Sequence, residues 1–385
     1  MHSLANRYCG YLLTLLAVST PGLLRAQGEA GISLEKIVKA WQDREGRIKT
    51  FRFSWVKEHV RSRGSFLSPE WGRGKNPDLK TVPEETTSYE EFYSAINDGG
   101  KIRFTRSRME GSVDHILRRQ ETTSVANGKD CRVFRARGAV EYPLGEIGQE
   151  KVNPMDLTDP EFFPLLMILR PFHPVLGSFN GQSTVRNMTL ESRIVTVAKR
   201  PCYQLKLVDP SSSVVQFFWV DSERDFTLVR RSLTQEGKLL AQIDWEDYKL
   251  NGRIWIPHRW KMVWMRDDRS VLSSGTSIVK EFSINSAVDE KEFELEFPVG
   301  TLVRERGSHP VDYILREGGN KRLVTLEEWG ATYEQLLASE SGQGLKSSSS
   351  RRRVVLLVGA LGGIVLITVL IAWRVRRTRP RVDQA

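Results

Sequence analysis

A run of twenty apolar residues near the C-terminus constrains this chain more than any other feature. Residues 354–373 contain Thr368 as their only polar member. At about 1.5 Å per residue, a helix of this length spans about 30 Å, the thickness of the hydrocarbon core of a bilayer. Backbone polar groups in lipid must bond to one another, so such a run crosses only as a helix. The sequence therefore predicts one C-terminal transmembrane helix.

The N-terminal residues have the layout of a secretory signal. Arg7 precedes a short apolar stretch, residues 11–18, and helix-breaking Pro21 and Gly22 lead to Ala26. Because the stretch is too short to span a bilayer, this layout is typical of a cleaved signal peptide. Cleavage after Ala26 is the prediction, and an uncleaved N-terminal anchor is the alternative.

Basic residues set the predicted topology. Five Arg follow the apolar run, and this excess indicates a cytoplasmic tail. The expected location is the cell inner membrane, crossed once, with the N-terminal domain periplasmic or otherwise extracytoplasmic. The expected organisation is a signal peptide (1–26), an exported β-rich domain (27–340), a flexible basic linker (341–353), the transmembrane helix (354–373) and a cytoplasmic basic tail (374–385).

The net charge of +10 is carried almost entirely by the two ends of the chain. Residues 351–385 contain eight Arg and one acidic residue, Asp383, and the signal adds Arg7 and Arg25. The exported domain is therefore close to neutral. A nucleic-acid partner requires a basic surface on the folded domain, so this class of function is excluded.

Hydrophobic periodicity predicts a mainly antiparallel α+β domain. Ser33 has the position of an N-cap for a helix that runs to about Arg47, and residues 51–56 alternate aromatic and polar side chains as a half-buried strand does. Turn signals then separate short strand-like runs, the last of them Glu292–Phe297, with an apolar helix at Glu161–Leu169. A long polar loop is expected at 62–86, and a final helix is expected to start at Thr325.

Several strand motifs resemble those of the bacterial outer-membrane lipoprotein carrier (LolA-like) superfamily. The similarity covers roughly residues 33–60 and 190–300, and it is carried by the motifs at 215–221, 226–230, 243–248, 255–257 and 284–298. The resemblance implies a curled, incomplete antiparallel barrel with helices on its concave face. It also implies an apolar interior of the kind that holds acyl chains in members of that family.

Aromatic residues on the predicted strands are the candidate lining of such a cavity. The alternative is that these rings fill a closed core. Two cysteines of the exported domain, Cys131 and Cys202, form a possible disulfide or remain two separate buried thiols. The candidate cavity residues are Phe53, Trp55, Phe217, Trp219, Trp260 and Trp264.

No motif in the sequence points to catalysis. His and Cys residues lack the spacing of metal ligands, and nucleophile-elbow, P-loop and dinucleotide-binding motifs are missing, so we expect no metal, no cofactor and no enzyme activity. Carboxylate pairs such as Glu90-Glu91 are expected to face solvent. The predicted function is a membrane-tethered module that binds a lipid or other apolar ligand. The alternative is a sensing subunit that contacts another envelope protein.

Overall fold

A computed structural model describes residues 32–61, 86–111, 117–138, 140–149, 161–172, 187–208, 213–266, 269–307, 310–328 and 330–339. The described residues up to Leu315 form one compact unit, and those from Arg316 form another. The predicted signal peptide, the linker, the apolar run 354–373, the tail and nearly all of the predicted loop 62–86 lie outside the described residues.

Two helices belong to the first unit. Helix α1 (Leu34–Arg47) begins after Ser33, whose side chain accepts a hydrogen bond from Lys36 N at 3.3 Å, and it buries Leu34, Ile37 and Trp41. This confirms the predicted helix, its cap and its apolar stripe. Helix α2 (Phe163–Leu169) carries Pro164 in its first turn, where a missing N–H costs nothing, and its apolar residues are almost all buried.

The strands of the first unit form one large open sheet in the order β15-β14-β6-β5-β4-β3-β2-β1-β13-β12-β11-β10-β9-β8-β7. Neighbouring strands pair antiparallel, except β6 and β14, which run parallel. The strands are β1 (Thr50–Arg61), β2 (Thr87–Asp98), β3 (Lys101–Gly111), β4 (Leu117–Ala126), β5 (Asp130–Arg135), β6 (Leu144–Gln149), β7 (Met188–Val197), β8 (Arg200–Val208), β9 (Val214–Asp221), β10 (Thr227–Gln235), β11 (Lys238–Asn251), β12 (Ile254–Met265), β13 (Val271–Ile284), β14 (Leu302–Glu305) and β15 (Val311–Leu315).

One face of the sheet, here called the helical face, is covered by α1 and α2. Trp41 Nε1 of α1 donates a hydrogen bond to the carbonyl of Phe226 at 2.6 Å, and Trp245 Nε1 of β11 donates to the carbonyl of Pro164 at 3.2 Å. Side chains from both helices and from most strands of the unit meet in one large apolar cluster. The main core therefore lies between the helices and this face.

The opposite, outer face is crossed by a segment without strand pairing, residues 288–297, which we call the outer strap. Its Phe293 and Leu295 are buried against Ile96 and Val125. Arg103 Nη1 donates to the carbonyls of residues 292 and 294 at 3.0 and 3.3 Å. The strand predicted at Glu292–Phe297 is wrong, because residues 290–293 form a 3₁₀ turn and the carbonyls that follow bond to side chains.

The second unit is small in its described part. It contains strand β16 (Lys321–Leu323), 3₁₀ turns at Glu317–Gly319 and Leu326–Glu328, and helix α3 (Tyr333–Ala338). The helix predicted to start at Thr325 is wrong, since α3 begins later, with a capping box between Thr332 and Gln335. Glu328 still accepts a hydrogen bond from Thr325 N at 3.0 Å, but it also pairs with Arg322.

The predicted fold class is wrong for the described residues. They form an open, mostly antiparallel sheet with few helices, in place of a curled, incomplete barrel with a transmembrane helix. Among them, no helix is both long and apolar enough to cross a bilayer. Helix α1 has 14 residues and spans about 21 Å. The hydrocarbon core of a bilayer is about 30 Å thick. The predicted location, a single pass through the inner membrane, is therefore also wrong as far as the described residues go.

Candidate functional site

The helical face changes from aromatic to charged along β1. Phe53 and Trp55 are buried in the main core, and the next residues on the same side of the strand are Lys57 and His59, which are also buried. Alternate residues of a strand share a face, so the charged side chains continue the aromatic row. We call this region the polar end; it consists of Lys57, His59, Tyr89, Glu91 and Glu161.

A buried ion pair lies at the centre of the polar end. Lys57 Nζ is 2.5 Å from Glu161 Oε1, and the two side chains are 3% and 11% exposed. Gly275 faces Lys57 from β13, and a Cβ at that position would lie 2.0 Å from Lys57 Cε. The glycine thus leaves the space through which the lysine side chain passes.

His59 and Glu91 form a second charged contact beside the ion pair. His59 Nδ1 lies 3.3 Å from Glu91 Oε1, and Tyr93 donates its hydroxyl hydrogen to Glu91 Oε2 at 2.6 Å. Burial alone would raise the pKa of the Glu91 carboxyl, but the contact with His59 and the charge of Lys57 outweigh it and lower the pKa to about 2. Burial lowers the pKa of His59, against the opposing effect of Glu91.

Several buried polar atoms of the helical face, that of Tyr89 among them, have no hydrogen-bond partner within the described part of the chain. They are the indole nitrogens of Trp55 and Trp260 and the hydroxyls of Tyr89, Thr122 and Ser124. Buried polar atoms in folded proteins are nearly always hydrogen-bonded, to protein or to ordered water. The helical face therefore has hydrogen-bonding capacity for water molecules or for the polar group of a ligand.

A guanidinium without a counter-ion lies on the same face, on β10. The guanidinium carbon of Arg231 is 4.8 Å from the ring centre of Phe163 and 5.9 Å from that of Phe218, and its Nη2 donates to Gln216 Oε1 at 2.7 Å. Burial lowers the pKa of Arg231 to about 10. In the described residues no carboxylate forms an ion pair with it, so its charge is balanced by none of these side chains.

Apolar side chains separate Arg231 from the polar end. The strand register aligns Arg231 with Ile243, Ile243 with Met262, Met262 with Gly275, and Gly275 with His59. One step further along β12 on this side, Trp264 is 41% exposed, and its Nε1 contacts Met262 Sδ at 3.1 Å. Of the apolar side chains in this row, Ile243 and Met262 are buried, and Trp264 is the one that is open to solvent.

The six predicted cavity residues fall into three environments. Phe53, Trp55 and Trp260 are packed together in the core, where the ring centres of Trp55 and Trp260 are 5.8 Å apart. Trp264 lies on the same face and is exposed to solvent. Phe217 and Trp219 alternate with the buried Phe218 and therefore lie on the outer face, with their ring centres 6.1 Å apart. Contact of any of these residues with a ligand stays a prediction.

Cys131 and Cys202 are each buried as thiols, and the structure does not join them in the disulfide considered above. Cys131 lies on β5 in the main core, whereas Cys202 lies on β8 and packs with Val197 and Val229. The two strands are not neighbours in the sheet. Burial raises the pKa of the Cys202 thiol to about 11, which makes it a poor nucleophile.

The charged members of this site are not among the residues predicted from the sequence. Glu91 was expected to face solvent with Glu90, but Glu91 is buried and Glu90 alone is exposed. The sequence pattern that could have indicated them is the period of two along β1, which places Lys57 and His59 on the same side of the strand as Trp55. Within the described ranges, no three His, Cys, Asp or Glu side chains are grouped as metal ligands would be.

Comparison with known proteins gives structural neighbours only. No family model matches the chain, and no curated protein does. A LolA superfamily protein from Nitrosomonas europaea is 12% identical, with 69% of this chain and 98% of that chain aligned at a TM-score of 0.38. A domain from Vibrio parahaemolyticus, described as an outer membrane lipoprotein-sorting protein, is 11% identical, with 68% and 97% aligned at 0.34.

A third neighbour is MucB, solved in complex with MucA(peri); it is 10% identical, with 66% and 99% aligned at a TM-score of 0.17. At these identities and scores, the comparison carries nothing about ligand or partner. Two of these three neighbours are described as a LolA superfamily protein and a lipoprotein-sorting domain, the group of proteins that the sequence motifs resemble.

Proposed function

We propose that this chain is a non-catalytic binding module that holds an amphiphilic, lipid-like ligand on the helical face. Arg231 carries the proposal, because its guanidinium lies between two phenyl rings and has no counter-ion among the described residues. Arg231 is half-buried, so water hydrates its charge only in part and an anionic group would be stabilised beside it. The ligand is therefore expected to carry a carboxylate or phosphate next to an apolar chain.

The apolar chain of the ligand has a surface to contact beside Arg231. Trp264 lies on the same face, two strands away from Arg231, and is partly open to solvent, whereas Met262 beside it is buried. The unpartnered hydroxyl of Tyr89 at the polar end supplies a further hydrogen-bonding group. The packed rings of Phe53, Trp55 and Trp260 form the wall behind this surface and are not its contact points.

The test compares two ligands that differ only in charge. The purified full chain is titrated with a fluorescent fatty acid, and a fatty alcohol of equal length competes for the site. Arg231→Gln should weaken fatty acid binding by about tenfold or more, equivalent to about 1.4 kcal/mol, and should affect the alcohol much less. Arg230→Gln is the matched control, because Arg230 is the adjacent residue, on the outer face, and pairs with Asp244.

Two results would contradict the proposal. One is that the chain neither retains lipid through purification, as determined by mass spectrometry of an organic extract, nor takes up the fatty acid. The other is that Arg231→Gln and Arg230→Gln bind both ligands alike, which would show that Arg231 has no part in binding.

A further inference from the structure

The outer face carries a groove that the lipid proposal does not use. It has a volume of about 350 Å³ and lies over strands β2 to β5. Its floor is a row of small hydroxyl side chains that the register aligns, including Ser94, Thr105 and Thr123, and phenyl rings of Phe92 and Phe134 border it. Small residues between large ones leave a depression in the surface of the sheet.

The outer strap lies directly beside this groove. The strap covers the neighbouring row of the sheet, which contains Ile96 and Val125, and its Phe297 ring is 6.1 Å from the ring of Phe134. Phe134 therefore contacts the strap on one side and borders the groove on the other. The groove is a continuation of the surface on which the strap is already bound.

The strap shows which kinds of chemical group bind to this surface. Residues 292–297 alternate Glu with Phe or Leu, and the apolar side chains face the sheet. Arginine side chains bind the backbone: Arg103 donates to two strap carbonyls, and Arg132 Nη1 donates to the carbonyl of Leu295 at 3.2 Å. Acidic side chains of the strap pair with bases at its edge, as Glu292 does with Arg52.

The groove has the same components. Phe92 is 45% exposed, which is unusual for a large aromatic side chain on a sheet. The guanidinium of Arg119 lies 5.4 Å from the ring centre of Phe92 and donates from Nη1 to Ser107 Oγ at 3.3 Å. The groove thus has an arginine, one exposed and one half-buried phenyl ring and a hydrogen-bonding floor, together with the exposed carboxylate of Glu121, and holds no segment of the described chain.

We propose that the groove binds an extended peptide of a partner protein, with large apolar residues at alternate positions and acidic residues between them. Four strands about 4.8 Å apart span about 14 Å, which corresponds to about four extended residues. A peptide fits better than an acyl chain, because a hydroxyl floor and an arginine offer hydrogen bonds that a hydrocarbon leaves unmade. Side chains pointing alternately down and up place the apolar groups on the floor and the acids near Arg119.

The probe for this site is a labelled peptide with the chain's own sequence at residues 290–298, titrated into the full chain and followed by fluorescence anisotropy. Saturable binding is expected. Thr123→Trp fills the groove and should weaken binding at least tenfold, whereas Thr189→Trp, at an exposed threonine of β7, should leave it unchanged. Phe92→Ala removes a border without adding bulk and serves as a second variant; circular dichroism confirms that each variant folds.

Three outcomes would overturn the proposal: no saturable binding, equal affinity in Thr123→Trp and Thr189→Trp, or faster hydrogen exchange in residues 290–297 on binding. The last result would place the peptide on the strap's own site. Arg231→Gln should bind the peptide as the unmodified chain does. The peptide result is therefore independent of the lipid result.

Discussion

Lys57 and Glu161 form an ion pair that is nearly closed to water, with their charged atoms 2.5 Å apart. The two residues come from a strand and from the segment just before α2, 104 positions apart in the chain. Glu161 precedes Phe162, whose ring lies 5.1 Å from that of Phe104 in the core. The pair thus fixes the entry of α2 onto the helical face.

Breaking this pair from one side should be costly. Lys57→Met leaves the Glu161 carboxylate buried without the ammonium, and losses of about 3–5 kcal/mol are typical when one partner of a buried pair is removed. Urea denaturation measures the unfolding free energy. Lys101→Met is the control, because Lys101 pairs with the exposed Glu290 and should lose less than about 1 kcal/mol. Equal losses in the two variants would show that the buried pair has no special role.

Adding one methyl group at Gly275 should displace Lys57. Gly275→Ala places a Cβ within 2.0 Å of Lys57 Cε, so we expect a loss of about 1–3 kcal/mol from overpacking. Gly148→Ala is the matched control, since a Cβ there contacts nothing within 4 Å. In a Lys57→Ala background the cost of Gly275→Ala should disappear. Persistence of the cost would place its origin in the strand backbone.

Stability should fall as the pH decreases through the range where His59 titrates. Burial holds the pKa of His59 below its usual 6.5 in the folded state, so the unfolded chain binds the proton first. The contribution of neutral His59 is therefore complete above about pH 6.5 and is lost as the pH falls towards the folded-state pKa. Denaturation at pH 7.5 and 5.5 should show a smaller decline in His59→Gln than in the unmodified chain.

Glu91 does not interfere in that interval. Its folded-state pKa of about 2 lies below the ordinary value of 4.5, so its contribution is lost only as the pH falls below about 4.5. Lys57 and Arg61 also act on His59, and their charges lower its pKa. An identical decline in the unmodified chain and in His59→Gln would exclude His59 as the source.

The thiols of Cys131 and Cys202 should resist modification in the folded protein. Both are buried, and the raised pKa of Cys202 leaves little thiolate at pH 8. We expect peptide mapping after iodoacetamide treatment to find both unmodified in native buffer and both alkylated in 6 M guanidinium without a reductant. Alkylation that requires a reductant would instead show a disulfide.

Local pattern was sufficient for α1 and for β1. The Ser33 cap and the spacing of Leu34, Ile37 and Trp41 define the helix before any tertiary contact is known, and the period of two after Phe51 defines the strand. Both signals arise within a few residues. For this reason the helix and the strand could be predicted from the sequence alone.

The polar end was not predictable in the same way. A carboxylate such as Glu91 is ordinarily exposed. Its burial is tolerable because His59 and Lys57 lie on the neighbouring strand β1 and Tyr93 lies two residues further along β2. Arg231 is similar, because the rings that enclose it come from α2 and β9. These environments depend on strand register and on helix placement, which are set by contacts between distant parts of the chain.

The pairing of β1 with β13 has a consequence for biosynthesis. Phe51 aligns with Ile284 and Arg61 with Ser273. One edge of β1 therefore stays unpaired until a strand more than 200 residues later in the chain has been synthesised. At about 5–20 residues per second, a ribosome takes roughly 10–40 s to deliver that partner. During this interval the aromatic row of β1 is an open template for pairing with other chains, and a holding chaperone would be needed most at that stage.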